Sequence, residues 1–454
     1  MNKISRRTLF SLILAVILGA GMLVFCVHYV LKAGDWVTFP GSPHVYSGSN
    51  LNSGVVVDRT GTVLLDATDG RQYADSQLLR MSTLHLLGDR DGYIPSNILS
   101  HYSDNLIGYN LVTGTYDVGS GDTMKLTISA QAQATALEAL NGRKGTVGVY
   151  NYETGEILCA VTSSTYDPDN VPEIDENDPF YEGIYVNRFF NSTYVPGSIF
   201  KLVTAAAAIE KLPALETMTF HCDGSYETGG QVIVCNGVHG DVNFEQALAH
   251  SCNCAFGQLA ERLGAETLEQ YAKRLGICES IEFDGIGTAS GSIDLRHAGS
   301  AELAWAGIGQ YTDQINACQY MTYMGAIARG GKTARPYLVE SAGTGLTGYT
   351  ATKHTLSYGI SSAAAQKLTE MMRNNVVSVY GAGNFPDLYV CAKSGTAEVG
   401  GDATPNATFA GFIASQEYPL AFIVIVEHGG SGSEVAGPIA GRVLHACVAA
   451  MDEG

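Results

Sequence analysis

The chain has 454 residues, 46% of them hydrophobic, and a formal net charge of −19. That length allows two or three units, one of them with a full-sized core. So acidic a chain is repelled by nucleic acid and, outside its basic N-terminus, by anionic lipid headgroups, so neither is expected as a partner.

Residues 9–31 contain no Asp, Glu, Lys or Arg, a run long enough to cross a hydrocarbon core of roughly 30 Å as a helix. Lys3, Arg6 and Arg7 precede it, while Lys32 is soon balanced by Asp35. The positive-inside bias therefore predicts residues 1–8 as a cytoplasmic tail, 9–31 as a transmembrane helix and the remainder outside. A cleaved signal peptide has a shorter apolar region and small residues before the cut; this run ends in Tyr29, Val30 and Leu31. Ser5-Arg6-Arg7 is similar to a twin-arginine export signal, but the length of the run reads as an uncleaved anchor.

Residues 33–122 lack a strong helical period and form a small domain at most. Residues 55–65 predict a hairpin turning at Arg59-Thr60-Gly61, followed by polar-interrupted stretches at 66–79 and 93–106. From Met124 the pattern sharpens. Residues 128–140 predict a helix, and 146–161 a hairpin around Glu153-Thr154-Gly155. An acidic connection follows at 166–182. Further helices are expected at 198–210, 244–263, 268–275 and 361–379, then strands at 388–393, 407–414 and 420–427 and a terminal helix from about residue 439. Strands at both ends with helices between them predict an α/β layer architecture around an antiparallel sheet, spanning 123–454.

Three strings carry chemistry. In Val195-Pro196-Gly197-Ser198-Ile199-Phe200-Lys201, Pro and Gly mark a loop, so Ser198 falls at or near a helix N-terminus. Three residues apart on a helix, Ser198 and Lys201 share a face, and a desolvated Lys can take the proton of a serine nucleophile. In Ser251-Cys252-Asn253, small polar residues interrupt a helical stretch; Ser251 suits a proton relay and Asn253 an orienting role. Lys393-Ser394-Gly395-Thr396 is expected at the end of a strand. There Lys393 suits a substrate carboxylate, Ser394 and Thr396 add donors, and Gly395 admits a peptide to the strand edge. The Thr396 N–H could complete an oxyanion hole. Each string alone has a bland reading: a capping Ser, a polar helix surface, a turn. Their order reads as the S-x-x-K, S-x-N and K-[ST]-G set of serine acyl-transferases that act on D-alanyl peptides.

Of ten cysteines, Cys26 lies in the apolar run, leaving nine that cannot all pair. Cys159, Cys318, Cys391 and Cys447 sit in apolar strings and read as small buried hydrophobes. Cys222 and Cys235 lie in a turn-rich stretch. They suit a disulfide, two free thiols, or a zinc site with His221, Asp223 or His239, though the spacing is irregular for a metal.

With these residues in hand, the chain resembles a class B penicillin-binding protein over nearly its whole length. Asn187-Arg188 followed by Tyr194-Val195-Pro196-Gly197-Ser198 is similar to the family's "NR…Y.PGS.FK" segment. Residues 144–158 are similar to its entry hairpin, and His239-Gly240 and Gly309-Gln310 stand in family positions. The resemblance implies the penicillin-recognising serine-transpeptidase fold, with a transmembrane helix and a small pedestal or dimerisation-like domain at 33–122. That segment is too short for a glycosyltransferase domain, which excludes the bifunctional class A.

It also implies a D,D-transpeptidase inhibited by β-lactams. Ser198 is acylated by a D-Ala-D-Ala stem peptide and an amine resolves the acyl-enzyme. Lys201 serves as base, Ser251 and Asn253 as relay and orienter, and Lys393, Ser394 and Thr396 hold carboxylate and oxyanion. No cofactor is needed, and a SEDS-family polymerase is the implied membrane partner. Ser129 departs from the family's Asp, while Ser394 and Cys252 are tolerated variants. The Cys222/Cys235 loop is similar to one in some elongation-type relatives where a metal sits near the active site, with a different ligand set. The alternatives are a D,D-carboxypeptidase, a penicillin-hydrolysing or -sensing relative, and a catalytically silent scaffold, the last disfavoured because a scaffold has no use for all three motifs.

Overall fold

The apolar N-terminal run is one helix, Asn2–Val37, in the computed structural model. The structure describes residues 2–37, 46–47, 50–68, 70–95, 97–107, 109–110, 114–115, 122–175, 177–344 and 348–453. The stretch Ser5–Lys32 is long and apolar enough to cross a membrane.

The expected hairpin at Arg59 forms from Val55–Val57 and Val63–Asp66. Its turn is organised by Asp58, whose Oδ1 accepts the N–H of Thr60 and Thr62, each at 2.9 Å. The other Asp58 oxygen accepts the Ala130 N–H at 2.9 Å, tying the turn to the helix Ala130–Leu140. That helix starts two residues later than its periodicity predicts because Ser129 caps it, Oγ accepting the Ala132 N–H at 3.2 Å. The hairpin joins a six-stranded sheet in the order Tyr349–Thr350, Val339–Ala342, Thr123–Leu126, Val55–Val57, Val63–Asp66, Gln72–Tyr73. Strands from both sides of residue 122 therefore share one sheet, through a parallel pairing of Val55–Val57 with Thr123–Leu126.

The second sheet positions the site. Its five antiparallel strands run Ile157–Ser163, Gly145–Asn151, Leu420–Val426, Asn406–Ile413, Val390–Ala397. The four strands ahead of the last are buried throughout, because helices cover both faces. Val147, Val149, Phe409, Phe422 and Val424 share one core with Leu140, Val443 and Leu444 of the helices Ala130–Leu140 and Gly437–Asp452. Tyr150, Ala410, Phe412, Ile423 and Ile425 share the other with the helices Lys201–Lys211 and Ala317–Ala328. The α/β layers expected from the element order are thus present.

Three elements differ from expectation. The helical stretch at 244–263 is two helices, Phe244–Ala249 and Asn253–Leu263, broken at Ser251, whose φ of 54° lies in the left-handed region. The helix Ser362–Asn375 continues as a π-helical turn, Val376–Tyr380. The strand expected to end at Lys393 runs to Ala397, because the eight-residue strand Asn406–Ile413 pairs with it residue for residue.

Asp313 stands apart from this packing. It is 0% exposed, and neither carboxylate oxygen has a hydrogen-bond partner among the described residues. Burial pushes its pKa well above the usual carboxylate range. A raised folded-state pKa means its favourable contribution is complete below about pH 3.9, the unfolded value, and is lost as pH rises toward the folded one. Asp313→Asn, uncharged at every pH, is therefore expected to melt higher than wild type at pH 8 and to show a flatter decline of melting temperature from pH 5 upward. An unchanged slope in thermal melts would show that Asp313 is ionised in the fold.

Candidate active site

The nucleophile loop is pressed against the edge strand of the five-stranded sheet. Gly197 has φ +56°, and a Cβ there would lie 2.8 Å from the Thr396 carbonyl oxygen and 2.9 Å from Ala397 Cα; only glycine fits. Its N–H donates to the Gly309 carbonyl at 2.9 Å, which gives Gly309-Gln310 a structural purpose. Ser198 lies in a 3-10 turn, Gly197–Phe200, that leads into the helix Lys201–Lys211. In this tighter turn side chains three apart eclipse one another, and Lys201 Nζ lies 2.8 Å from Ser198 Oγ.

Lys201 is 0% exposed. Besides Ser198, its Nζ reaches the Ser251 carbonyl oxygen and Asn253 Oδ1, both at 2.7 Å, and Ser251 Oγ at 3.1 Å. Every one of these partners is a neutral oxygen. Burial, followed by the nearby Lys393, holds its pKa well below the ordinary lysine value. A neutral amine so placed can donate to the Ser251 carbonyl and Asn253 Oδ1 while its lone pair accepts the Ser198 proton.

The break in the 244–263 stretch delivers the second motif. After Phe244–Ala249, the left-handed Ser251 turns the chain, and a new helix starts at Asn253 with Cys252 as its cap. This places Ser251 Oγ between two amines, 3.1 Å from Lys201 Nζ and 3.0 Å from Lys393 Nζ. Asn253 is fixed at its other end by Nδ2 donating to the Val234 carbonyl at 2.8 Å.

On the edge strand Lys393 is also 0% exposed; its Nζ donates to its neighbour's carbonyl, Ser394, at 2.8 Å. Burial pushes its pKa down to about 7. Ser394 is half-buried and Thr396 exposed. The missing side chain of Gly395 makes room for Thr408 Oγ1 and for the Pro196 carbonyl of the nucleophile loop. Ser198, Lys201, Ser251, Asn253 and Lys393 are thus joined in one hydrogen-bonded chain through Lys201 and Ser251, with Ser394, Gly395 and Thr396 alongside. Tyr380 was not legible in the sequence: its hydroxyl oxygen accepts the Ser394 N–H at 3.0 Å, and no motif marks it.

A second cluster abuts this one. Donor atoms of Cys222, Cys235, His239 and Cys252 all lie within 4.8 Å of one another. His239 Nδ1 is 3.5 Å from Cys222 Sγ and 3.6 Å from Cys235 Sγ, and Cys235 Sγ is 3.9 Å from Cys252 Sγ. Cys235 also accepts the Asn253 N–H at 3.2 Å. The Cys252 thiol, and with it that N–H, lowers the pKa of Cys235 and favours its thiolate. Three sulfurs and an imidazole suit a tetrahedral zinc ion. Asp223 and His221, also considered as ligands, lie outside the cluster: exposed His221 bonds Asp241 and Asp223 at 2.6 and 2.7 Å. Cys252, which the sequence marked only as the middle of a motif, supplies the fourth donor.

A family model described as the penicillin binding protein transpeptidase domain matches residues 145–445. The peptidoglycan D,D-transpeptidase PbpA of Mycolicibacterium smegmatis is 30% identical over 369 residues, 74% of this chain and 73% of that protein. Stage V sporulation protein D of Bacillus subtilis is 28% identical over 350 residues, 71% of this chain and 53% of that protein. Among solved structures, penicillin-binding protein A of M. tuberculosis, in its ceftriaxone acyl-enzyme complex, superposes with a TM-score of 0.72 at 25% identity, covering 87% of this chain and 98% of that one. The D,D-transpeptidase domain from Eggerthella lenta gives 0.75 at 26% identity, covering 88% and 98%. With the three motifs gathered around one serine, the chain belongs to the penicillin-binding transpeptidase family and is a class B member, a serine D-Ala-D-Ala transpeptidase.

Proposed function

We propose that this protein cross-links peptidoglycan stem peptides through an acyl-enzyme on Ser198. The observation that carries the reading is the desolvated Lys201 amine 2.8 Å from Ser198 Oγ. Lys201 takes the Ser198 proton as Oγ attacks the carbonyl carbon of the penultimate D-Ala. The N–H groups of Ser198 and Thr396 stabilise the oxyanion. As the tetrahedral intermediate collapses, the proton passes from Lys201 through Ser251 Oγ to the departing D-Ala amine. Lys393, with the Ser394 and Thr396 hydroxyls, holds the donor carboxylate, and Asn253 fixes Lys201 and the donor amide. An amine of a second stem peptide then attacks the ester carbonyl; Lys201 accepts its proton and returns it to Ser198 Oγ as the ester bond breaks, leaving the new amide and the free serine. A β-lactam enters by the same first step and is held as a stable ester. If water rather than an amine accepts the acyl group, the same residues give a D,D-carboxypeptidase, so product analysis with a stem-peptide amine separates the two.

The excess of Lys3, Arg6 and Arg7 before the apolar run supports a cytoplasmic N-terminus and a catalytic domain, residues 123–454, outside the membrane. Residues 33–122 would act as a pedestal. A SEDS-family membrane glycosyltransferase, supplying the glycan strands to be cross-linked, would be its partner. The Cys222, Cys235, His239 and Cys252 donors would hold a structural zinc that ties the 220–242 loop to the Ser251 motif.

Fluorescent penicillin is expected to label the wild type and not Ser198→Ala; absence of label on the wild type, or equal label on both, refutes the acyl-enzyme on Ser198. Lys201→Arg, whose guanidinium cannot act as a base, is expected to slow labelling by about 10²–10⁴-fold. Because Lys393 titrates at about pH 7, binding of a carboxylate donor is present below that pH and weakens above it. Lys393→Arg should carry this alkaline limb to higher pH in KM-against-pH profiles. Purified protein should contain about one zinc per chain, lost in Cys252→Ser together with part of the melting temperature; metal analysis finding none in the wild type removes the zinc assignment.

A further inference from the structure

Val390–Ala397 is the edge of its sheet, yet most of its outward pairing groups ahead of Thr396 are taken. With a side-to-side period of two, Val390, Ala392, Ser394 and Thr396 turn their backbone groups away from the neighbouring strand. Arg373 Nη1 donates to the Val390 carbonyl at 3.0 Å, and the buried Asn375 Nδ2 to the Ala392 carbonyl at 3.1 Å. Lys393 Nζ occupies the Ser394 carbonyl at 2.8 Å, and Tyr380 Oη accepts the Ser394 N–H at 3.0 Å. Only at Thr396 does no side chain among the described residues fill the edge. Tyr380 is held for this purpose from two directions. It ends the π-helical turn Val376–Tyr380, ahead of Gly381 at φ +82°. Its ring stands edge-on to Phe409, at 5.3 Å and 71°, and Phe409 is the cross-strand partner of Ser394.

We propose that Tyr380 is a positioning residue that closes the strand's pairing edge at Ser394 and so fixes the register of a linear acyl donor. A donor peptide adding to this edge pairs at Thr396 alone and cannot slide two residues along to Ser394. Its carboxylate end, which runs toward Lys393 and Ser394, must therefore stop there. The role rests on the acyl-transfer reading above, but its failure is separable, since penicillin labelling of the wild type tests that reading by itself.

Tyr380→Phe keeps the ring against Phe409 and removes the acceptor oxygen. For an N-acyl-D-alanyl thioester donor bearing a terminal carboxylate, kcat/KM is expected to fall about tenfold, mainly through KM, as for one hydrogen bond's worth of positioning. Acylation by benzylpenicillin, whose fused rings hold their own geometry, should change by less than about threefold. No loss with the linear donor, or an equal loss with both, overturns the proposal. Should the variant not fold, residue-resolved deuterium exchange on the wild type decides. The Ser394 amide should be protected both before and after penicillin acylation, and the Thr396 amide only after; a Ser394 amide that gains protection on acylation overturns the role.

Discussion

Two amines buried beside one hydroxyl form the constraint on which the rest of the structure depends. Lys201 and Lys393 are both inaccessible to solvent, and Ser251 Oγ lies within 3.1 Å of each. No carboxylate among the described residues pairs with either of them. At low dielectric two such cations repel strongly, and each also bears a desolvation cost. The arrangement is therefore stable only with at least one amine neutral, and burial together with the charge of the nearby Lys393 makes Lys201 the one. A base ready at neutral pH is a consequence of packing, since lysine exposed to water is a cation.

That packing requires three distant segments to meet. The nucleophile loop approaches the edge strand closely enough that Gly197 and Gly395 tolerate no side chain. The Ser251 motif arrives through a helix broken at a left-handed residue. The edge strand is anchored because Leu420–Val426 inserts between the early hairpin and Asn406–Ile413. Substrate chemistry thus rests on a sheet whose two faces are covered by helices, with the motif strand at one edge.

The cysteine cluster extends this economy of position. Cys252 lies between Ser251 and Asn253, and Cys235 accepts the Asn253 N–H. Whatever holds the sulfurs also holds the motif, so the loop at 220–242 is part of the active-site frame. Likewise Arg188, from the segment that precedes the nucleophile, is buried against Glu427 at 2.9 Å and bonds the carbonyls of Glu182 and Gly183. It fastens the acidic connection to the end of a central strand.

The sequence by itself determined the apolar helix, the early hairpins, the α/β layers and every residue of the three motifs. Each of these rests on local spacing: an uncharged run, period-two alternation, turn residues, or a serine three positions from a lysine. It also singled out Cys222, Cys235 and His239, but took Asp223 for a possible ligand where Cys252 stands. Tertiary structure decided that exchange, the continuation of the strand through Lys393-Ser394-Gly395-Thr396, the break at Ser251 and the part played by Tyr380. Those features depend on which segments lie against one another across long separations in the chain. Burial of Lys201 and Lys393 is the clearest case: their identities are written in the motifs, but their lowered pKa values come only from the walls that the fold builds around them.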